Sequence, residues 1–219
     1  MHTRTLLRAG VAAGILYLAA GLAQAFLREG FDFARHPLSV LANGPGGWIQ
    51  TANFLVSGLL VIGAAIGIRR VLGGNTRALP WFLAAFGASM VVAAFFPADP
   101  VDGFPPGTPE GFPTSISSTG MTHFAAGMLG FTALAVSCFL AARAMRRRGA
   151  PSLALFSLLA GLAVLVGFFG GPMLGGGAAM IAGIWFAVVI GWAWLAALSM
   201  RLQREVADAD HPERSEGSA

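Results

Sequence analysis

Six long apolar runs divide this chain, and each is long enough to cross about 30 Å of hydrocarbon as an α-helix. Charged residues make up only 11% of the chain, whereas about a quarter of a soluble domain is charged. We therefore predict an all-α integral membrane protein in which residues 1–205 form a bundle of six transmembrane helices. The predicted spans cover about residues 7–27, 48–68, 80–96, 121–142, 152–170 and 178–200.

The arginines predict which way the bundle faces. All fourteen basic residues are Arg, and twelve of them fall on one side of the predicted membrane, with only Arg28 and Arg35 on the other. Since basic residues stay on the cytoplasmic side, we predict that both termini are cytoplasmic and that residues 206–219 form a disordered tail there. This distribution also explains the pI of about 10.9 without nucleic acid, so the expected partner is the lipid bilayer.

The end of the first run leaves one alternative open. Ala23, Gln24 and Ala25 resemble a signal-peptide cleavage site, and cleavage there would remove the first span. Gly10 and Gly14 instead form a small-residue packing face, which favours a helix that is retained. In either case, the loop that follows lies outside.

Ionisable side chains gather at the outer boundary of the predicted bundle. The central parts of the spans carry none, which disfavours transport by charge relay. The outer set consists of His36, Asp99, Asp102 and His123. Imidazole and carboxylate ligands suit a divalent metal such as zinc, and His36, Asp99 and His123 are the candidate ligands. No HExxH motif is present, so solvated carboxylates and hydrogen-bonded histidines are the competing interpretation.

Two further polar side chains extend this candidate site. If the chain is helical after Pro37, Ser39 shares a face with His36. Asn53 lies on a polar stripe along the outer half of the second span, although such a stripe also fits hydrogen bonding between helices. The candidate ligand-binding residues are therefore His36, Ser39, Asn53, Asp99, Asp102 and His123.

Short motifs in these regions resemble a known family. They are His36-Pro37-Leu38-Ser39-Val40-Leu41, Gly47-Trp48-Ile49-Gln50 with Asn53, Phe96-Pro97-Ala98-Asp99-Pro100, and Gly120 with His123. Their order and placement resemble the bacterial membrane family catalogued as domain of unknown function 998, over about residues 8–200. The resemblance implies a six-span bundle in a bacterial inner membrane. It implies no substrate, cofactor or catalytic residue.

Three functional hypotheses follow from these residues. The first is binding of a polar ligand, a metal or a lipid headgroup at the extracytoplasmic face. The second is a membrane-embedded, metal-dependent hydrolase of a lipid-like substrate, in which the same set activates water. The third is a non-catalytic assembly or interaction protein, in which the polar set only orders the outer loops.

Overall fold

Six α-helices account for most of the chain in the computed structural model, which describes residues 1–173 and 177–210. All six are long and apolar enough to cross a membrane, and no β-strand forms within the described ranges. The predicted all-α membrane fold is therefore confirmed. The helices are α1 (Thr3–Leu27), α2 (Gly47–Leu72), α3 (Ala78–Phe95), α4 (Ser118–Arg147), α5 (Pro151–Met173) and α6 (Gly177–Asp210).

The helices form a closed ring in chain order. Each packs against the next, and α6 returns to pack against α1. Small residues allow the closest approaches, as expected where helices associate in lipid. A Cβ on Gly58 of α2 would lie 2.6 Å from the carbonyl oxygen of Gly87 on α3, and the reverse distance is 2.7 Å. Gly167 and Gly183 make the same reciprocal contact between α5 and α6.

The two ends of the ring differ in how the centre is filled. Toward the Arg-rich end the centre is solid, because large apolar side chains such as Ile68, Met145 and Leu198 are fully buried there. Trp194 is also buried, and its indole N–H donates to the Ser157 hydroxyl at 3.0 Å. The opposite end encloses a cavity, which lies beneath two long loops.

Two element boundaries differ from the sequence prediction. Helix α6 continues to Asp210, so the prediction of disorder is wrong for residues 206–210. Ion pairs lie just before this extension, where Glu205 contacts Arg148 at 2.7 Å and Arg201 at 3.2 Å. Residues 211–219 of the predicted tail lie outside the described residues. Helix α4 begins at Ser118, which places His123 in its second turn.

Candidate functional site

The two long outer loops, residues 28–46 and 96–117, fold together into one structure, here called the outer cap. Phe104 is its centre and is fully buried. The Phe104 ring packs against Phe31 and His36, with centroids 5.6 and 5.5 Å away. The Arg28 guanidinium lies over the same ring at 5.2 Å. An aromatic core therefore orders both loops.

Arg28 ties the first loop back to the end of α1. Its guanidinium donates to the carbonyl of Leu41 at 3.0 Å and to that of Asn43 at 2.6 Å. Partial burial lowers the pKa of Arg28. The Asn43 amide in turn donates to the carbonyl of Ala98 in the second loop at 2.9 Å. Arg28 is thus a structural part of the cap.

Arg35 links the loops through charge. It forms a two-pronged bond to the Asp102 carboxylate, at 2.9 and 2.7 Å, and it also pairs with Glu110. The hydrogen bonds from Arg35, with a further one from the backbone N–H of Gly111, hold the pKa of Asp102 well below its usual range. The hydrogen bonds to Asp102 and Glu110 raise the pKa of Arg35. Asp102 is accordingly a cap residue rather than a ligand-facing carboxylate.

His36 is fully buried in the cap and uses both ring nitrogens there. Nδ1 accepts a hydrogen bond from the backbone N–H of Asp32 at 2.9 Å. Nε2 lies 3.0 Å from the carbonyl oxygen of Asp102, which can only accept, so Nε2 carries the ring proton. No lone pair remains for a metal or a ligand, and the structure does not support the predicted ligand role of His36.

Asp99 stabilises the start of α4. Its carboxylate accepts hydrogen bonds from the hydroxyl and the backbone N–H of Ser117, the latter at 2.9 Å. Ser117 is the N-cap of α4, and its hydroxyl accepts from the backbone N–H of Gly120. Gly120 lacks a Cβ where the Asp99 carboxylate packs, and a Cβ there would overlap it. This fit places Asp99 at the edge of the cavity.

His123 lies beside Asp99 at the same edge. Its Nδ1 donates to the carbonyl of Phe96 at 2.8 Å, and its ring meets the edge of Phe54 at a centroid distance of 6.0 Å. With Nδ1 as the donor, a neutral ring has its acceptor at Nε2. His123 lines the cavity.

The remaining two predicted residues, Ser39 and Asn53, lie in different parts of the structure. Ser39 lies in a short 3₁₀ helix, Leu38–Ala42, and lines the cavity. Asn53 does not line it. Its amide is 3% exposed and donates to the carbonyl of Tyr17 and to Gln50, while its oxygen accepts from Ser57. The stripe on α2 is thus an interhelical hydrogen-bond network, which is the competing interpretation of this stripe.

The cavity has a volume of about 430 Å³ and lies inside the helix ring beneath the outer cap. It extends from exposed side chains such as Phe112 and Phe124 to buried Trp192. Trp192 packs on Tyr17 with ring centroids 5.1 Å apart, which joins α6 to α1 across one wall. Four polar side chains, here called the polar rim, line the cavity next to the cap: Arg35, Ser39, Asp99 and His123.

Comparison with known proteins places this fold in a family. A family model described as "Protein of unknown function (DUF998)" matches residues 11–201. The chain belongs to the DUF998 family. The resemblance carried by the short motifs is therefore confirmed. Searches of curated proteins and of solved structures find no match.

The predicted metal ligands are not brought together in this DUF998 protein. His36 lies inside the cap with both nitrogens occupied, whereas Asp99 and His123 lie at the rim. Across residues 1–173 and 177–210, no three His, Cys, Asp or Glu side chains are grouped to hold a metal ion. The described residues therefore lack the set that the metal-dependent hydrolase hypothesis requires.

Sequence reasoning missed the cavity wall itself. Aromatic residues from four different helices line it: Tyr17, Phe86, Phe131 and Trp192. In the sequence, each is an ordinary residue of an apolar transmembrane span. One signal was available, since Tyr17 is the only tyrosine in the chain. A phenol in the middle of an apolar run faces either another helix or an interior space.

Proposed function

We propose that this protein sits in the cell membrane with both termini in the cytoplasm and binds an amphipathic, lipid-like molecule in the cavity. The apolar part of the ligand occupies the space between the helices, and its polar head lies at the polar rim. One observation carries the proposal: a mainly apolar cavity of about 430 Å³ has its charged side chains and its histidine at one end. Ligand pockets in proteins are commonly about 300–1,000 Å³ and mostly apolar, with a few placed polar groups.

The lining argues for an elongated apolar ligand. Below the rim, the wall consists mainly of aromatic and aliphatic side chains, with the Ser89 hydroxyl and the Tyr17 phenol as polar exceptions. The Ser89 hydroxyl is already bonded to the carbonyl of Phe86 at 2.7 Å. A strongly polar molecule placed there would lose more hydrogen bonds to water than these groups could replace, which is costly. A hydrocarbon chain has no such cost.

The rim argues for a head that donates hydrogen bonds. Asp99 contributes a carboxylate and His123 the ring nitrogen Nε2, and both can accept hydrogen bonds. The guanidinium of Arg35 is engaged by Asp102 and Glu110, so it does not offset the charge of Asp99 for an anionic head. A hydroxyl or ammonium head therefore fits better than a phosphate or a carboxylate.

Photolabelling tests the proposal directly. The probe is a twelve-carbon alcohol with a diazirine near the end of its chain, added to the purified protein in detergent. We expect saturable labelling of cavity residues on α1, α4 and α6, with competition by the unlabelled alcohol. Replacement Gly127→Leu fills the cavity, because a Cβ there meets only Phe168, at 3.5 Å. This variant should lose most of the saturable labelling.

A matched variant on the same helix controls for the added side chain. Ala125 is exposed, so Ala125→Leu places the same new atoms outside the ring and should label like the wild type. Unsaturable labelling that is confined to outward-facing residues and is equal in both variants would refute the proposal. That result would favour the assembly hypothesis instead.

A further inference from the structure

A second crevice lies at the opposite, Arg-rich end of the ring, between the start of α1 and the end of α6. Its volume is about 300 Å³. Three guanidinium groups line it, those of Arg4 and Arg8 on α1 and of Arg204 on α6. Met200, Gln203 and Ala207 complete the wall. This crevice shares no residue with the cavity beneath the outer cap.

The charges in this crevice are unbalanced among the described residues. Asp210 contacts Arg4 at 3.0 Å, whereas Asp208, one helical turn after Arg204, forms no ion pair among the described residues. Glu205 pairs with Arg148 and Arg201 instead. Arg8 and Arg204 therefore have no ion-pair partner in the described part of the chain, and like charges that line one space repel each other unless an anion joins them.

Arg4 also presents unused donors. Its Nε and one terminal nitrogen are buried and make no hydrogen bond within the described residues, so the contact with Asp210 is an ion pair without hydrogen-bond geometry. A buried donor without a partner is costly. An oxygen-rich anion in the crevice would supply the missing acceptors, because guanidinium groups bind phosphate oxygens in a two-pronged fashion.

We propose that this crevice binds a phosphate-bearing anion through Arg4, Arg8 and Arg204. The helices that form it are candidate membrane spans, and basic pockets between such helices commonly receive the headgroups of anionic phospholipids. Free phosphate offers the same chemistry, and the experiment separates the two sources. The inference does not depend on the proposed function of the cavity.

The test measures thermal unfolding of the purified, delipidated protein in a neutral detergent, followed by tryptophan fluorescence. The probes are phosphatidylglycerol, phosphatidylcholine and inorganic phosphate at constant ionic strength. We expect phosphatidylglycerol to raise the unfolding temperature of the wild type more than phosphatidylcholine does. The double variant Arg8→Gln, Arg204→Gln should bind phosphatidylglycerol on the order of 30-fold more weakly, given the typical contribution of each Arg near an anionic headgroup.

A control with the same charge change is Arg146→Gln, Arg147→Gln, since both residues are exposed on α4, at the same end of the ring but outside the crevice. It should respond like the wild type. If the double variant fails to fold, exposed Arg8→Gln alone should weaken binding about fivefold. Stabilisation by phosphatidylglycerol alone identifies a lipid headgroup, and stabilisation by phosphate as well identifies the phosphate group itself. No preference over phosphatidylcholine, or an equal loss in the control, would overturn the inference.

Discussion

His36 joins the outer loops through a single neutral ring. One nitrogen accepts from the first loop and the other donates to the second, and the carbonyl of His36 accepts from the indole N–H of Trp185 on α6 at 3.2 Å. A fully buried imidazole with both nitrogens bonded to backbone groups has a structural role. The ring therefore orders the cap that covers the cavity.

Removal of this ring should destabilise the protein whether or not metal is present. In His36→Ala, a buried donor and a buried acceptor lose their partner, and a space opens beside Phe104. We expect the free energy of unfolding to fall by about 2–4 kcal/mol, measured by thermal or chemical unfolding in detergent. Dialysis against a chelator should leave the wild type unchanged. A marked loss of wild-type stability on chelation would instead support a metal at this residue.

The structure divides the outer residues that were chosen from the sequence into two groups. Asp99 and His123 were chosen as ionisable groups at the membrane boundary, and both line the cavity. His36 and Asp102 were chosen by the same criterion but became internal parts of the cap. Which group each side chain meets depends on how two loops fold together, and no local pattern encodes that pairing. Nothing in the chain near Arg35 identifies Asp102 as its partner.

Helix contacts in this protein depend on paired glycines. At Gly58 and Gly87, the backbones of α2 and α3 approach so closely that either Cβ would meet a carbonyl oxygen. Backbone atoms cannot rotate away as a side chain can. Another glycine on the same helix, Gly63, has nothing closer than 3.8 Å to an added Cβ. The two positions therefore separate packing from helix propensity.

We expect opposite effects from alanine at these two glycines. Gly58→Ala should lower the free energy of unfolding by about 1–3 kcal/mol, because the added methyl forces α2 and α3 apart. Gly63→Ala should be neutral or stabilise by up to about 1 kcal/mol, since alanine favours the helix and meets no obstacle. Unfolding temperatures of both variants in one detergent provide the comparison. Equal effects at the two sites would contradict the close contact.

The existence of the six helices was predictable because each has enough apolar residues to span the bilayer. The residues at which the helices end were less predictable. The continuation of α6 to Asp210 brings it into contact with residues that are distant along the chain, such as Arg4 on α1, and no local pattern encodes these contacts. The loop pattern likewise did not predict that residues 38–42 form a 3₁₀ helix rather than an α-helix.

At the level of the whole molecule, most of the arginines and the cavity lie at opposite ends. At the Arg-rich end, the centre of the ring is filled and the basic crevice lies between α1 and α6. The other end holds the cavity beneath the outer cap. The sequence predicted the distribution of charge, because that follows from the order of loops and spans. It did not predict the cavity, which exists only because six helices close into a ring.

Cysteine labelling tests the orientation of the molecule. The native Cys138 is fully buried, so it provides a silent background. We expect Ser115→Cys, at an exposed position in the outer cap, to react with a membrane-impermeant maleimide in intact cells. Ser152→Cys, exposed in the first turn of α5, should react only after the membrane is opened. The reverse pattern would show that the Arg-rich end faces outward.

The contact between Tyr17 and Trp192 also bears on how the molecule is made. One residue belongs to α1 and the other to α6, which is synthesised later, and together they close one side of the cavity. A nascent chain that ends after α5 lacks the wall that α6 provides. The cavity is therefore complete only once α6 packs against α1.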